Sequence, residues 1–225
     1  FLREAQAAAR LSHPNIAAVY DASPEVIAMQ LVEGRTLAEL SWDDPRALAA
    51  VVRDAALAVH AAHQQGIVHR DLKPANLMVE TAPDDGAAGR APHVFVMDFG
   101  LAKETAVDSS LSTSGSILGT PAYMSPEQAS GRRRDVDARS DVYALGATLY
   151  DCLAGHAPFA ERAGSASAPG PDVYQVIRRT VEEEPEPLER AAEGVDRELA
   201  TIVAKCLAKE PERRYPSALA LASDL

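Results

Sequence analysis

Eight residues, His69-Arg70-Asp71-Leu72-Lys73-Pro74-Ala75-Asn76, stand between two short apolar runs, Ile67-Val68 and Leu77-Met78-Val79. The runs predict strands, and the octet a polar loop held between them. Ahead of the loop, Pro45 to Gln65 repeats apolar residues at helical spacing and stops at Gly66, a residue type that ends helices well. Behind it, Val94 to Met97 predicts a further strand.

The rest of the chain reads around that centre. Leu2 to Leu11 predicts a helix that ends near Ser12-His13-Pro14. Ile16 to Tyr20 and Val26 to Val32 predict a strand pair, and Thr36 to Leu40 the start of a short helix. Ser140 to Leu153, Val173 to Thr180, Arg197 to Leu207 and Pro216 to Leu225 predict helices. Thr81 to Pro92, Gly100 to Gly119 and Glu161 to Pro171 read as connections. The fold class is therefore α+β: a small strand-bearing piece followed by a mostly helical body.

Charge narrows the partners. Among 225 residues there are 22 Lys and Arg against 33 Asp and Glu, a formal net charge of −11. That argues against nucleic acid and against anionic lipid, both of which ask for a basic surface. It leaves room for a nucleotide, since a few local cations and a metal ion can hold phosphates. Aromatic residues make up only 5%, so alanine and branched aliphatics must fill the core. Two cysteines, Cys152 and Cys206, give no disulfide framework and read as buried thiols. No apolar run is long enough for a membrane span. The chain starts with Phe1 inside a helical pattern, so it reads as a piece of a longer polypeptide.

The octet matches the pattern H-R-D-L-x-x-x-N, and phosphoryl transfer explains its spacing. A carboxylate, Asp71, orients an attacking hydroxyl and takes its proton; a cation, Lys73, follows two residues later; an amide oxygen, Asn76, ligates Mg²⁺. Twenty-seven residues after Asp71 comes Asp98-Phe99-Gly100, directly behind a predicted strand, where a carboxylate can hold Mg²⁺ against phosphates. Gly119-Thr120-Pro121-Ala122-Tyr123-Met124-Ser125-Pro126-Glu127 follows, with Ser125-Pro126-Glu127 standing in for A-P-E. Then come Arg139-Ser140-Asp141 at a helix start and Pro211-Glu212-Arg213-Arg214.

With these motifs in order, the chain resembles the serine/threonine protein kinases, above all the eukaryotic-like (Hanks-type) kinases of bacteria. The resemblance runs from Phe1 to Leu225. It implies the two-lobed kinase fold, with residues 1–32 as the remainder of a truncated small lobe and 33–225 as a complete, mostly helical large lobe. It implies an ATP- and Mg²⁺-dependent enzyme, Mn²⁺ being able to stand in, acting on Ser and Thr of proteins; Lys73 and Thr120 favour these over tyrosine. Asp71 would be the catalytic base with Lys73 its phosphate-contacting partner; Asn76 and Asp98 would hold the metal. Met29 would gate the adenine pocket, Gln30 and Val32 would offer hinge backbone, and Met78 would form the floor. Phe99 and Gly100 would belong to the segment that sets active and inactive states. Thr120 would contact the Asp71–Lys73 pair, Asp141 would hold the catalytic-loop backbone, His69 would organise it, and Glu127 would pair with Arg214. Arg70 would be a buried cation beside Asp71, matched by phosphate on Ser112, Thr113, Ser114 or Ser116, the candidate sites of autophosphorylation.

The resemblance lacks two parts, a G-x-G-x-x-G loop and a V-A-I-K lysine, so Glu4 has no lysine partner. The expectation is weak nucleotide binding and little activity for these 225 residues beside an active parent kinase, an exposed small-lobe sheet edge, and a dimer formed through the missing part of the small lobe. The resemblance implies a domain in the cytoplasm, with a membrane anchor elsewhere in the full-length protein as the alternative. Two other classes use similar residues: a pseudokinase that binds partners without catalysis, and a small-molecule phosphotransferase of the aminoglycoside type. The intact Asp71, Lys73, Asn76 and Asp98 count against the first, and the Gly119 to Glu127 segment, a platform for a peptide, against the second. Arg132-Arg133-Arg134 reads as a solvated loop with substrate docking as its alternative, Glu182-Glu183-Glu184 as a solvated helix end, and His60 and His63 as packing or capping groups.

Overall fold

A computed structural model describes residues 9–23, 26–80, 92–99, 121–160 and 173–225. Strands β1 (Val19–Ala22) and β2 (Ile27–Met29) form an antiparallel pair. Strand β3 (Gly34–Thr36) pairs with β4 (Leu77–Glu80), and β4 with β5 (Val94–Val96), in an antiparallel three-stranded sheet. The helices are α1 (Pro45–Gln64), α2 (Pro126–Ala129), α3 (Ala138–Ala154), α4 (Val173–Glu182), α5 (Leu188–Ala191), α6 (Arg197–Cys206) and α7 (Ala218–Asp224). None of the described helices is long and apolar enough to cross a membrane.

Local chemistry accounts for the helix bounds. Asp44 caps α1 by accepting from the Arg46 N–H, and Pro45 follows in the first turn, where its missing N–H costs nothing. Gly66 then adopts φ 74°, a left-handed conformation that stops the helix at little cost. Asp137 caps α3 through the Arg139 N–H, and Gly155 at φ 76° ends it. Helix α3 is buried from Ser140 to Tyr150 and forms the axis of the molecule.

Around α3 pack α1, α6 and α7, and with so few aromatics the contacts are close. Leu48, Val52, Ala55, Val59 and Ala62 of α1 are fully covered. A Cβ at Gly146 would lie 2.3 Å from Cβ of Cys206, so α3 meets α6 nearly backbone to backbone. A second, smaller cluster of Ala17, Val32 and Phe95, with Met78 and Met97 against it, lies between the strands. Residues 15–17 run alongside β5: the Val96 N–H donates to Asn15 O and the Ala17 N–H to Val96 O.

The four-residue helices α2 and α5 were not expected from the sequence, and two further differences bear on the site. Ile67-Val68 is no strand, because this stretch directs its N–H groups elsewhere. Ile67 donates back to Ala62 O at the end of α1, and His69 and Arg70 donate to a side chain. Strand β3, conversely, carries no apolar alternation to announce it. Its Gly34 is required by contact, since a Cβ there would fall 2.2 Å from Val79 O. Residues 2–8 of the expected first helix lie outside the described residues, as do most of the three connections.

The Gly146 contact sets a first test. Gly146→Ala should destabilise the fold by about 1–3 kcal/mol in urea titration. Adding Cys206→Ser should not restore it, because the offending Cβ remains.

Candidate active site

The loop after α1 is held by one carboxylate. Asp141, in the first turn of α3 and fully buried, accepts the His69 N–H at 2.8 Å on Oδ2 and the Arg70 N–H at 2.8 Å on Oδ1. His63, near the end of α1, places Nε2 at 2.7 Å from the same Oδ2. With a carboxylate as its partner, that nitrogen is the donor. Helix α1, helix α3 and the loop thus meet at Asp141.

The loop backbone is bent to suit. Arg70 and Asp98 are the non-glycine residues with positive φ among those described, at 66° and 57°. Left-handed backbone costs an L-residue roughly 1–2 kcal/mol, so it persists only where neighbours over-determine it. Arg70 is fixed on both sides: its N–H goes to Asp141 and its carbonyl accepts from Gln128 Nε2 at 2.9 Å. Its side chain is exposed, which corrects the expectation of a buried cation. The bend that hands Arg70's backbone to the interior turns its guanidinium to the surface.

His69 joins the two motif segments. Its Nε2–H donates to Met97 O at 2.8 Å, which leaves Nδ1 to accept the Asp71 N–H at 3.3 Å. Its ring lies 4.7 Å from that of Phe99, centroid to centroid. Asp71 and Lys73 lie side by side, Nζ 3.0 Å from Oδ2. Asn76 turns its amide nitrogen onto Asp71 O at 2.8 Å, and the Met97 N–H donates to Asn76 O. The structure therefore brings Asp71, Lys73 and Asn76 together and sets exposed Asp98 one residue beyond a backbone bond to that group.

Of the four residues expected to receive adenine, Val32 and Met78 share the small apolar cluster. The Gln30 N–H is spent on Ala18 O, and Gln30 Oε1 accepts the Ala18 N–H in return. Met29 ends β2, opposite Val19. Glu4, Gly100, Thr120, Ser112, Thr113, Ser114 and Ser116 lie outside the described residues.

Below the loop sits a buried ion pair. Arg214 Nη1 and Nη2 each lie 2.8 Å from one oxygen of Glu127, and Ser140 Oγ donates to Oε1 at 2.6 Å. Arg214 spends its other donors on the carbonyls of Ala208, Lys209 and Arg139. Burial pushes the Glu127 carboxyl up, but the Arg214 and Ser140 hydrogen bonds outweigh it and hold it at about 2.

Three residues here were not singled out from the sequence as site residues. His63 and Ser140 have partners 78 and 13 positions away, with no local sign of either. Gln128 did carry a signal: Ser-x-x-Gln at 125–128 is a capping box, and the structure forms it. Its amide nitrogen then reaches the His69–Asn76 loop at Arg70 O.

The protein kinase domain family matches residues 1–224. The serine/threonine-protein kinase PknB of Mycobacterium leprae is 42% identical over 237 residues, covering 100% of this chain and 35% of its own length. The chain thus spans about a third of the curated relatives it matches. The crystal structure of the Mycobacterium tuberculosis PknI kinase domain superposes with a TM-score of 0.67 at 27% identity, over 98% of this chain and 74% of that one. Rad53 1–466 in complex with AMP-PNP superposes with a TM-score of 0.69 at 25% identity, over 97% of this chain and 52% of that one.

Two outcomes test the geometry. Glu127 has its folded-state pKa depressed, so its contribution is fully present above about pH 4.5 and is lost as pH falls toward 2. The stability gap between the protein and Glu127→Gln should be level above pH 5 and shrink by about 2–4 kcal/mol at pH 2. His63→Ala strips a buried donor from Asp141 and should destabilise by about 1–3 kcal/mol in thermal unfolding, with His63→Gln recovering part of it.

Proposed function

We propose that this chain, which belongs to the protein kinase family, is the catalytic part of an enzyme that transfers the γ-phosphoryl group of ATP to serine and threonine hydroxyls of proteins, these 225 residues alone being weakly active or inactive. The observation that carries this is the Asp71–Lys73 pair, 3.0 Å apart in a loop fixed through Asp141, with Asn76 bonded to the same Asp71 backbone.

In this reading Asp71 orients the incoming hydroxyl and takes its proton as the new oxygen–phosphorus bond forms. The bridging oxygen–phosphorus bond of ATP breaks and its electron pair leaves with ADP. Lys73 offsets charge developing on the transferred group. Asn76 has committed its amide nitrogen, so its amide oxygen is what it can offer a metal, and Asp98 adds a carboxylate. Hard oxygen donors of this kind suit Mg²⁺, and Mn²⁺ by the same chemistry. Bound there, the ion would neutralise charge on the β- and γ-phosphates. His69 and Phe99 position the two segments, and Glu127 with Arg214 braces the platform behind them.

Adenine would enter between a front lobe, residues 1–32, and a large lobe, residues 33–225, with Met29, Gln30, Val32 and Met78 around it. The AMP-PNP bound to Rad53 supports nucleotide binding in such a site. Ser112, Thr113, Ser114 and Ser116 are proposed acceptors within the chain itself.

The test is γ-labelled ATP with Mg²⁺ and the full-length protein. Label should appear on Ser or Thr, and Asp71→Asn should lower its rate by about 10²–10⁴-fold while ATP binding persists. A full-length protein that binds ATP yet labels neither itself nor a panel of substrates would replace this reading with that of a binding module.

A further inference from the structure

A cavity of about 370 Å³ opens where α3, α5 and α6 meet. Its floor is apolar: Tyr150 of α3, Leu188 of α5, and Val203 and Leu207 of α6. Its rim is acidic: Glu184, Glu186 and Glu189, all exposed. Pro185 and Pro187 alternate with the first two of these carboxylates, and Pro187 sits at φ −55° and ψ 131°. Fixed proline φ angles make this wall rigid before any ligand arrives, which lowers the entropy cost of binding.

The rim charges stand out against their neighbours. Glu182 and Glu183, at the end of α4, pair with Arg178 and Arg179. Among the described residues, Glu184, Glu186 and Glu189 join no such ion pair, nor does Arg190 beside Glu189. The nearby cation, Lys209, feels the charges of Glu184 and Glu183, but its ammonium is hydrogen-bonded inward: Nζ donates to Thr180 O at 2.7 Å and lies 4.2 Å above the Phe159 ring. An apolar hollow under like charges is satisfied by a ligand that brings cations and one apolar side chain together.

We propose that this cavity docks a Lys/Arg-rich segment of a partner protein, one apolar side chain entering the floor while its cations meet Glu184, Glu186 and Glu189. Tyr150 lies nine residues along α3 from Asp141, about 14 Å of helix, so docking leaves the catalytic loop clear. Use of the site to recruit substrate rests on the kinase reading; the binding itself does not.

The experiment measures anisotropy of a fluorescein-labelled peptide, an Arg/Lys cluster beside a leucine pair, on the full-length protein. Binding should weaken as salt rises and by about tenfold in the Glu184→Gln, Glu186→Gln, Glu189→Gln triple variant. Ala204→Trp, which fills the hollow from its exposed edge, should abolish it, with phosphate transfer to a generic peptide unchanged in both variants. Equal binding by the wild type and the triple variant overturns the proposal. So does equal binding of a peptide whose cations are replaced by glutamine, or whose leucines are replaced by serine. Because the readout needs no catalysis, loss of docking and loss of kinase activity are told apart.

Discussion

The buried carboxylate of Asp141 is what the geometry of the His69–Asn76 loop depends on. Fully removed from water, it would be costly without partners, and it has three donors: two backbone N–H groups of the loop and the ring of His63. The dependence runs both ways. A loop that turns its N–H groups inward needs an acceptor there, and a carboxylate in the core needs donors. Each satisfies the other, so the loop cannot relax without leaving a buried charge unpaired, which is far more costly than losing one ordinary hydrogen bond. That is how a segment with little regular structure is held in place between the helices around it.

Glu127 and Arg214 solve a similar problem by a different route. Their two parallel hydrogen bonds join α2 to the turn before α7, and Ser140 ties the pair to α3 only one residue from Asp141. Such buried pairs are poor sources of net stability, since desolvation cancels much of the attraction, but they are exacting about geometry. With the guanidinium forked onto both oxygens, α2 is held in one place. Its Gln128 can then meet the carbonyl of Arg70 at 2.9 Å. The loop is gripped by its N–H groups from α3 and by a carbonyl from α2.

How much of this could be read from the chain depended on the range of each interaction. The long helix α1 shows itself through the Asp44-Pro45 start, the apolar stripe and Gly66, all local signals. The octet from His69 to Asn76 shows itself through residue types whose chemistry suits one another. Ile67-Val68 misled, because two β-branched residues look like a strand wherever they stand, and what denies them a ladder is a partner back in α1 and, just beyond, a carboxylate seventy residues on. Strand β3 was missed for the opposite reason: its pairing is dictated by the space beside Val79, not by any pattern in Gly34-Arg35-Thr36. His63 looked like a packing group because nothing in its own helix reveals Asp141.

These contacts converge on the two described non-glycine residues with left-handed backbone, Arg70 and Asp98. Arg70 and Asp98 each precede or end a segment that His69 bridges, one by its own backbone and one through Met97 O. Such backbone is strained for residues with a Cβ, and a relaxed chain would straighten at both points. Straightening at Arg70 would withdraw donors from Asp141; straightening at Asp98 would pull at the Met97 carbonyl that orients the His69 ring. The strain is therefore held beside Asp71 and Asp98 by buried groups distant in sequence. A fold that takes its precision from such long-range contacts can vary its exposed surface, the acidic rim of the α3–α5–α6 cavity included, without disturbing the loop that those contacts hold.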